Sequence, residues 1–168
     1  MSDLKVSVKD VAYLGISLAI LEASKLALDL LPNIEVVTLL FIIYTIFYGR
    51  KTILVAIGFT AIECFLKGFN VWSFMYLYIW PLLIIIVFYA NRHKAGYLFY
   101  CLLSGFFGLF FGMFCAIPYL FIGGWSMAVT WWIAGIPYDI IHCVSNLILC
   151  LMLFKPLCMI MKKVTLTV

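Results

Sequence analysis

The stretch IEVVTLLFIIYTIFYGRKTILVAIGFTAIECFLK, residues 34–67, sets two apolar runs on either side of the turn Gly49-Arg50-Lys51. Each run, 34–48 and 52–67, is short for a membrane crossing and should tilt little or thin the bilayer locally. The basic turn recurs as a pattern along the chain. Nine of the eleven Lys and Arg fall in four clusters: Lys5/Lys9, Arg50/Lys51, Arg92/Lys94 and Lys155/Lys162/Lys163. Between successive clusters lies enough apolar chain to cross a bilayer twice. The pattern predicts an all-α polytopic membrane protein, a six-transmembrane-helix bundle with every basic cluster on one side. Cytoplasmic loops carry the Lys/Arg excess, so both termini are expected in the cytoplasm.

Hydrophobic residues make up 67% of the 168, more than a soluble domain can hide, so lipid is the solvent. Residues 1–168 read as a single integral membrane domain of the cell membrane, with expected spans 10–30, 34–48, 52–67, 73–90, 96–121 and 135–160. Leu31-Pro32-Asn33, Gly68 to Trp72 and Ile122 to Trp131 are expected outside; Asn91-Arg92-His93-Lys94 is expected inside. Pro81 and Pro118 should kink their spans, Gly123-Gly124 can flex, and Pro137 suits the first turn of the sixth helix. The formal charge of +4 follows from topology and does not mark a nucleic-acid partner. Glu22, Lys25 and Asp29 in the first apolar segment argue against a cleaved signal peptide. Cys64, Cys101, Cys115, Cys143, Cys150 and Cys158 lie in apolar segments without a C-x-x-C pair, so disulfides and zinc sites are not expected.

The residues that can carry chemistry fall into a few sets. In the first span Gly15, Ala19, Ala23 and Ala27 recur every four residues, a small-residue stripe that permits close helix approach in lipid. Packing within the bundle and docking of a partner both fit it. Gly105, Gly108, Gly112 and Ala116 form a similar set in the fifth span, read as internal packing. In the sixth, Asp139, His142 and Asn146 share one face, and polar groups this costly in lipid should point into the bundle or a cavity. They are either a clamp between helices, with Asp139 capping or pairing His142, or the wall of a binding site near the outer leaflet. The nearby Trp125, Trp131 and Trp132 favour the second. Trp72, Tyr76 and Trp80 lie at spacing four; an aromatic belt explains Trp72, but Trp80 sits about two turns deeper and suits stacking on a flat ligand. Glu63 is either self-neutralised by Lys67 or a counter-ion for a cationic ligand. Glu22, Lys25 and Asp29 are read as pairing among themselves, and Asn33 and Glu35 as caps of the second helix.

No G-x-x-x-x-G-K-[ST], H-E-x-x-H or G-x-S-x-G motif is present. The chain cannot hydrolyse ATP through a P-loop of its own. No cofactor or metal is expected, and an enzyme using Asp139 and His142 as an acid–base pair lacks a nucleophile.

Together these residues resemble a known family. Pro32-Asn33-Ile34-Glu35-Val36-Val37-Thr38-Leu39-Leu40 with Tyr48-Gly49-Arg50-Lys51 is similar to the first-to-third-helix region of S components, the substrate-binding subunits of energy-coupling factor (ECF) vitamin transporters. Trp132-Ile133-Ala134-Gly135-Ile136-Pro137-Tyr138-Asp139-Ile140-Ile141-His142, with Asn146, resembles their sixth helix. Gly15, Ala19 and Ala23 are similar to the family's A-x-x-x-A docking motif, with Gly in the first position. The resemblance implies a subunit that binds a vitamin or related micronutrient from outside and topples on docking to a transmembrane coupling subunit and two ATPases. Substrate is then released inside.

Trp72, Tyr76, Trp80, Trp131 and Trp132 suit stacking on a heteroaromatic ring, with Glu63 and Asp139 holding a positive group or hydroxyls. That favours a small neutral or cationic compound, pyridoxine-, pyrimidine- or thiamine-like, with cobalamin as a larger possibility. His142 and Asn146 complete the expected site. The rival reading is a membrane scaffold of the MreD-like kind, of similar size and span count, that binds partner helices and no small molecule.

Overall fold

The computed structural model describes residues 6–166, with side chains to Thr165. Lys5 and Val168, on which the first basic cluster and the orientation of the C-terminus bear, lie outside the described residues. Seven helices and no strand occur among the described residues: α1 (Val8–Leu28), α2 (Val37–Tyr48), α3 (Thr52–Lys67), α4 (Val71–Arg92), α5 (Tyr97–Leu109), α6 (Phe111–Cys115) and α7 (Ile117–Leu166).

Local chemistry sets the boundaries. Ser7 and Asp10 form a reciprocal capping box at the start of α1. Gly49 ends α2 and Gly68 ends α3, both at positive φ (58° and 74°), where a side chain would be strained. Asn70 starts α4 by accepting from the Trp72 and Ser73 N–H groups at 2.9 and 3.3 Å.

Cross-helix contacts fix the directions. Lys51 pairs with Asp10 at 2.7 Å and Lys25 with Glu63 at 2.8 Å, so α1 and α3 run side by side in the same sense. The turn at Gly49–Lys51 folds α2 back on α3, bringing the rings of Phe41 and Phe59 to 6.0 Å. Arg50 lies 4.8 Å over the Phe88 ring, which sets the far end of α4 beside that turn. Lys155 lies 4.8 Å over the Tyr97 ring, and the Tyr13 hydroxyl donates to the Val164 carbonyl at 3.4 Å. The described basic clusters and both described ends of the chain therefore gather at one end of the bundle, whereas Lys25 and Lys67 lie towards the other.

Four helical stretches are long and apolar enough to cross a membrane: Val8–Leu28, Val37–Lys67, Val71–Arg92 and Ile117–Thr165. The second is the folded-back α2–α3 pair, and Tyr97–Leu109 is apolar but shorter. The core is built around α2, in which every residue from Val37 to Thr45 is buried. Phe41 and Trp80 stack there with centroids 5.0 Å apart.

Several expectations need correction. The segment Ile122 to Trp131 is not a loop. The chain kinks at Gly123 and Gly124, the latter at φ 73°, and resumes as helix from Trp125, about ten residues before the expected start. Nothing from Trp125 to Ile136 breaks a helix, and Pro137 lies inside α7 rather than in its first turn. The fifth span is interrupted at Phe110 and Ala116, so Pro118 sits in the first turn of α7, where its missing N–H costs least. By contrast, α4 runs on through Pro81. Glu22, Lys25 and Asp29 do not pair among themselves. Lys25 bonds Glu63, and Lys67 reaches Asp29 at 3.4 Å, because parallel packing of α1 and α3 brings their matching turns face to face.

The glycine set of the fifth span packs internally. A Cβ on Gly108 would meet the His142 carbonyl oxygen at 2.8 Å, and one on Gly105 would meet Leu147 Cβ at 3.3 Å. The stripe of α1 does not. Gly15, Ala19, Ala23 and Ala27 are all exposed, and a Cβ on Gly15 would meet nothing within 4 Å.

Candidate functional site

A cavity of about 560 Å³ opens at the end of the bundle away from the basic clusters. Its roof is the α1–α2 connection, from Leu31 to Glu35. Its walls come from the ends of α1, α3 and α4, from α6, and from α7 between Trp131 and His142. This volume lies in the range of small-molecule sites, which are mostly apolar with a few convergent polar groups.

The α7 face supplies the polar groups. Asp139 is 5% exposed and accepts the Gly112 N–H on Oδ1 at 2.9 Å. Gly112 stands in the first turn of α6, whose N–H groups lack intrahelical acceptors, so the carboxylate satisfies an orphan donor. A Cβ at this position would collide with the Asp139 carboxylate, so glycine is required for the approach. The other oxygen, Oδ2, is buried and has no partner.

His142, one turn further on, does not pair with Asp139. Its Nε2 lies 3.0 Å from Glu35 Oε1. Glu35 also accepts from the Thr38 hydroxyl at 2.6 Å and the Thr38 N–H at 2.9 Å, so it caps α2 while tying the roof to α7. Burial pushes the Glu35 carboxyl up, but the hydrogen bonds from His142 and Thr38 outweigh that and hold it below the ordinary glutamate value. A second tie runs from the Ser145 hydroxyl to the Asn33 carbonyl at 2.8 Å.

The aromatic wall has two parts. Trp80 is 3% exposed and belongs to the core as well as the cavity, packed by Phe41, Phe59, Tyr76, Phe107 and Phe111; its indole Nε1 has no partner. At the mouth, Trp131 stacks on Tyr119 at 4.9 Å and meets the half-exposed Trp72 edge-on at 6.2 Å.

No family model, curated protein or solved structure matches this chain. The site is therefore read from its own chemistry.

Of the residues singled out in the sequence, Trp72, Tyr76, Trp80, Trp131, Asp139 and His142 line the cavity. Trp132 does not. Asn146 is a clamp instead: its side chain donates to the Ser104 carbonyl and its carbonyl accepts the Ser104 hydroxyl, both at 3.4 Å. Glu63 lines a smaller adjoining cavity of about 340 Å³, where Lys25 holds it at 2.8 Å and Lys67 stands 3.7 Å away. The nearer charge on Glu63 is thus Lys25, not its helix neighbour. Among the described residues no group of three His, Cys, Asp or Glu is placed to hold a metal ion.

Sequence reasoning missed Phe59, Phe111 and Gly112 as cavity residues and gave Glu35 only its capping role. The signal for Glu35 was present: an acidic residue at the same expected end of the bundle as His142.

Proposed function

We propose that this chain is the substrate-binding membrane subunit of an ECF-type transporter, taking up a small, flat, vitamin-like ring compound from outside the cell. The observation that carries the reading is the cavity at the end away from the basic clusters, with unpartnered polar atoms on Trp80, Asp139 and His142. Buried polar groups are normally hydrogen-bonded, and leaving one unpaired costs about 1–3 kcal/mol. Three on the wall of one cavity suit a ligand that completes them.

In this reading the chain crosses the cell membrane six times, as α1, α2, α3, α4, α5 with α6, and α7. The basic end faces the cytoplasm with both termini, and the cavity opens outward. The exposed small-residue stripe of α1 is then the surface offered to the coupling subunit, and ATP hydrolysis belongs to two partner subunits.

A thermal-shift screen of the purified protein in detergent against B vitamins and their precursors tests the proposal. Ligand at 100 times its Kd should stabilise by about 2.7 kcal/mol. One strong hit, with co-purification of an ATPase-bearing module, is the expected result. Silence across the panel, with no ATPase retained, would favour the MreD-like scaffold instead.

A further inference from the structure

We infer that the cavity selects a cationic heteroaromatic ring carrying N–H donors, with Asp139 Oδ2 as the counter-ion. The inference rests on the substrate-binding reading above and narrows its ligand from neutral or cationic to cationic. Asp139 is a nearly buried carboxylate with no Lys or Arg against it; its one bond is the Gly112 N–H. A buried charge without a counter-charge is costly and is ordinarily paired.

The neighbouring free atom points the same way. With its Nε2–H donated to the Glu35 carboxylate, His142 presents Nδ1 as an acceptor, and that atom is also unpartnered. Two acceptors one helical turn apart call for donors on the ligand. Phe111 lines the same cavity, its ring centroid 5.0 Å from that of His142 and 5.9 Å from that of Trp80. Aromatic faces beside a carboxylate favour a cation. The indole N–H of Trp80 remains to meet an acceptor on the same ligand.

An anionic ligand finds no equivalent. Among the described residues Lys25 is the one lysine or arginine on the cavity wall, and its ammonium is held by Glu63 at 2.8 Å. Lys67, in the adjoining cavity, stands against Asp29 and Glu63. Glu35 is a further carboxylate on the main wall.

The test uses two matched series, each a single ring with one substituent varied in charge. The first is pyridoxamine, pyridoxine and 4-pyridoxate; the second is 3-aminomethylpyridine, 3-hydroxymethylpyridine and nicotinate, with thiamine as a larger cation. Binding to the wild-type chain and to Asp139→Asn is read by thermal shift and calorimetry at neutral pH. The expected result is that at least one cation binds, at least tenfold tighter than its neutral and anionic counterparts. Asp139→Asn should weaken that binding by tenfold or more while the unliganded variant melts at or above the wild-type temperature. Tighter binding of a neutral or anionic member, or a cation bound equally by Asp139→Asn, overturns the charge assignment and leaves the substrate-binding reading standing. Failure of every compound, including all three cations, overturns the charge assignment. Only failure of the wider vitamin screen as well would remove the substrate-binding reading.

Discussion

Glu35 and Asp139 are both carboxylates on the cavity wall, yet their surroundings give them different work. Glu35 is satisfied by Thr38 and His142, so it contributes to holding the roof in place. Because its folded pKa is depressed, that contribution is present in full above the ordinary glutamate value of about 4.3 and is lost as pH falls through the lower folded value. Glu35→Gln should therefore lower stability by about 1–3 kcal/mol at pH 7, the scale of charge-assisted hydrogen bonds. The gap in melting temperature between wild type and variant should close as pH falls below the ordinary glutamate value and through the lower folded one; a gap that persists at full size there would refute the latch. Trp80 calls for a different prediction. It is as much core as binding wall, so Trp80→Ala should destabilise the unliganded protein by about 3–5 kcal/mol in a denaturation series. Unchanged stability would show that the aromatic cluster around it is not packed. The sequence made Trp80 legible as a deep aromatic, but stacking on a ligand and stacking on Phe41 have the same signature in a single chain.

Two glycine stripes show what the sequence can and cannot settle about elements. Both have small residues at helical spacing; the sequence leaves packing or docking open for the α1 stripe and reads the fifth-span set as internal packing. The structure separates them by what a Cβ would meet: backbone of α7 at Gly108, open space at Gly15. Gly108→Ala would force α5 away from the His142 carbonyl and should cost about 1–3 kcal/mol, the range for overpacking. Gly15→Ala should leave the melting temperature unchanged or raise it slightly, since alanine is the better helix former by about 1 kcal/mol. Equal losses in the two variants would mean that the α1 stripe also packs internally. The apolar runs and basic turns marked out α1 to α4 because each boundary carries its own chemistry: Ser7, Gly49, Gly68, Asn70. The start of the last helix was not legible. Trp125 to Trp132 is a bulky run that reads the same in an outer loop or a lipid-facing helix, and Pro137 mimics a helix start. The site was legible in part for the same reason: Asp139 and His142 announce themselves as costly in lipid, whereas Phe59 and Phe111 look like any buried aromatic.

At the scale of the whole molecule, the bundle has a cavity at one end, its described basic clusters at the other, and an exposed small-residue face on α1. That face includes Ala19 and Ala23, exposed on α1 where lipid would otherwise lie. Helix association in lipid depends on close van der Waals approach, so a bulky residue on this face should hinder a partner without disturbing the fold. Ala19→Trp and Ala23→Trp test this division. Each should keep the wild-type melting temperature and the full ligand-induced shift, because the cavity lies at the ends of α1, α3 and α4 and the substituted side chains meet only lipid. Each should abolish uptake in cells and co-purification of the ATPase-bearing module. A loss of ligand binding equal to the loss of uptake would place the stripe in the fold or the site instead. Intact uptake in both variants would remove α1 as the docking face. The two readouts are separable because substrate recognition and energy coupling would then be carried by different surfaces of the same chain.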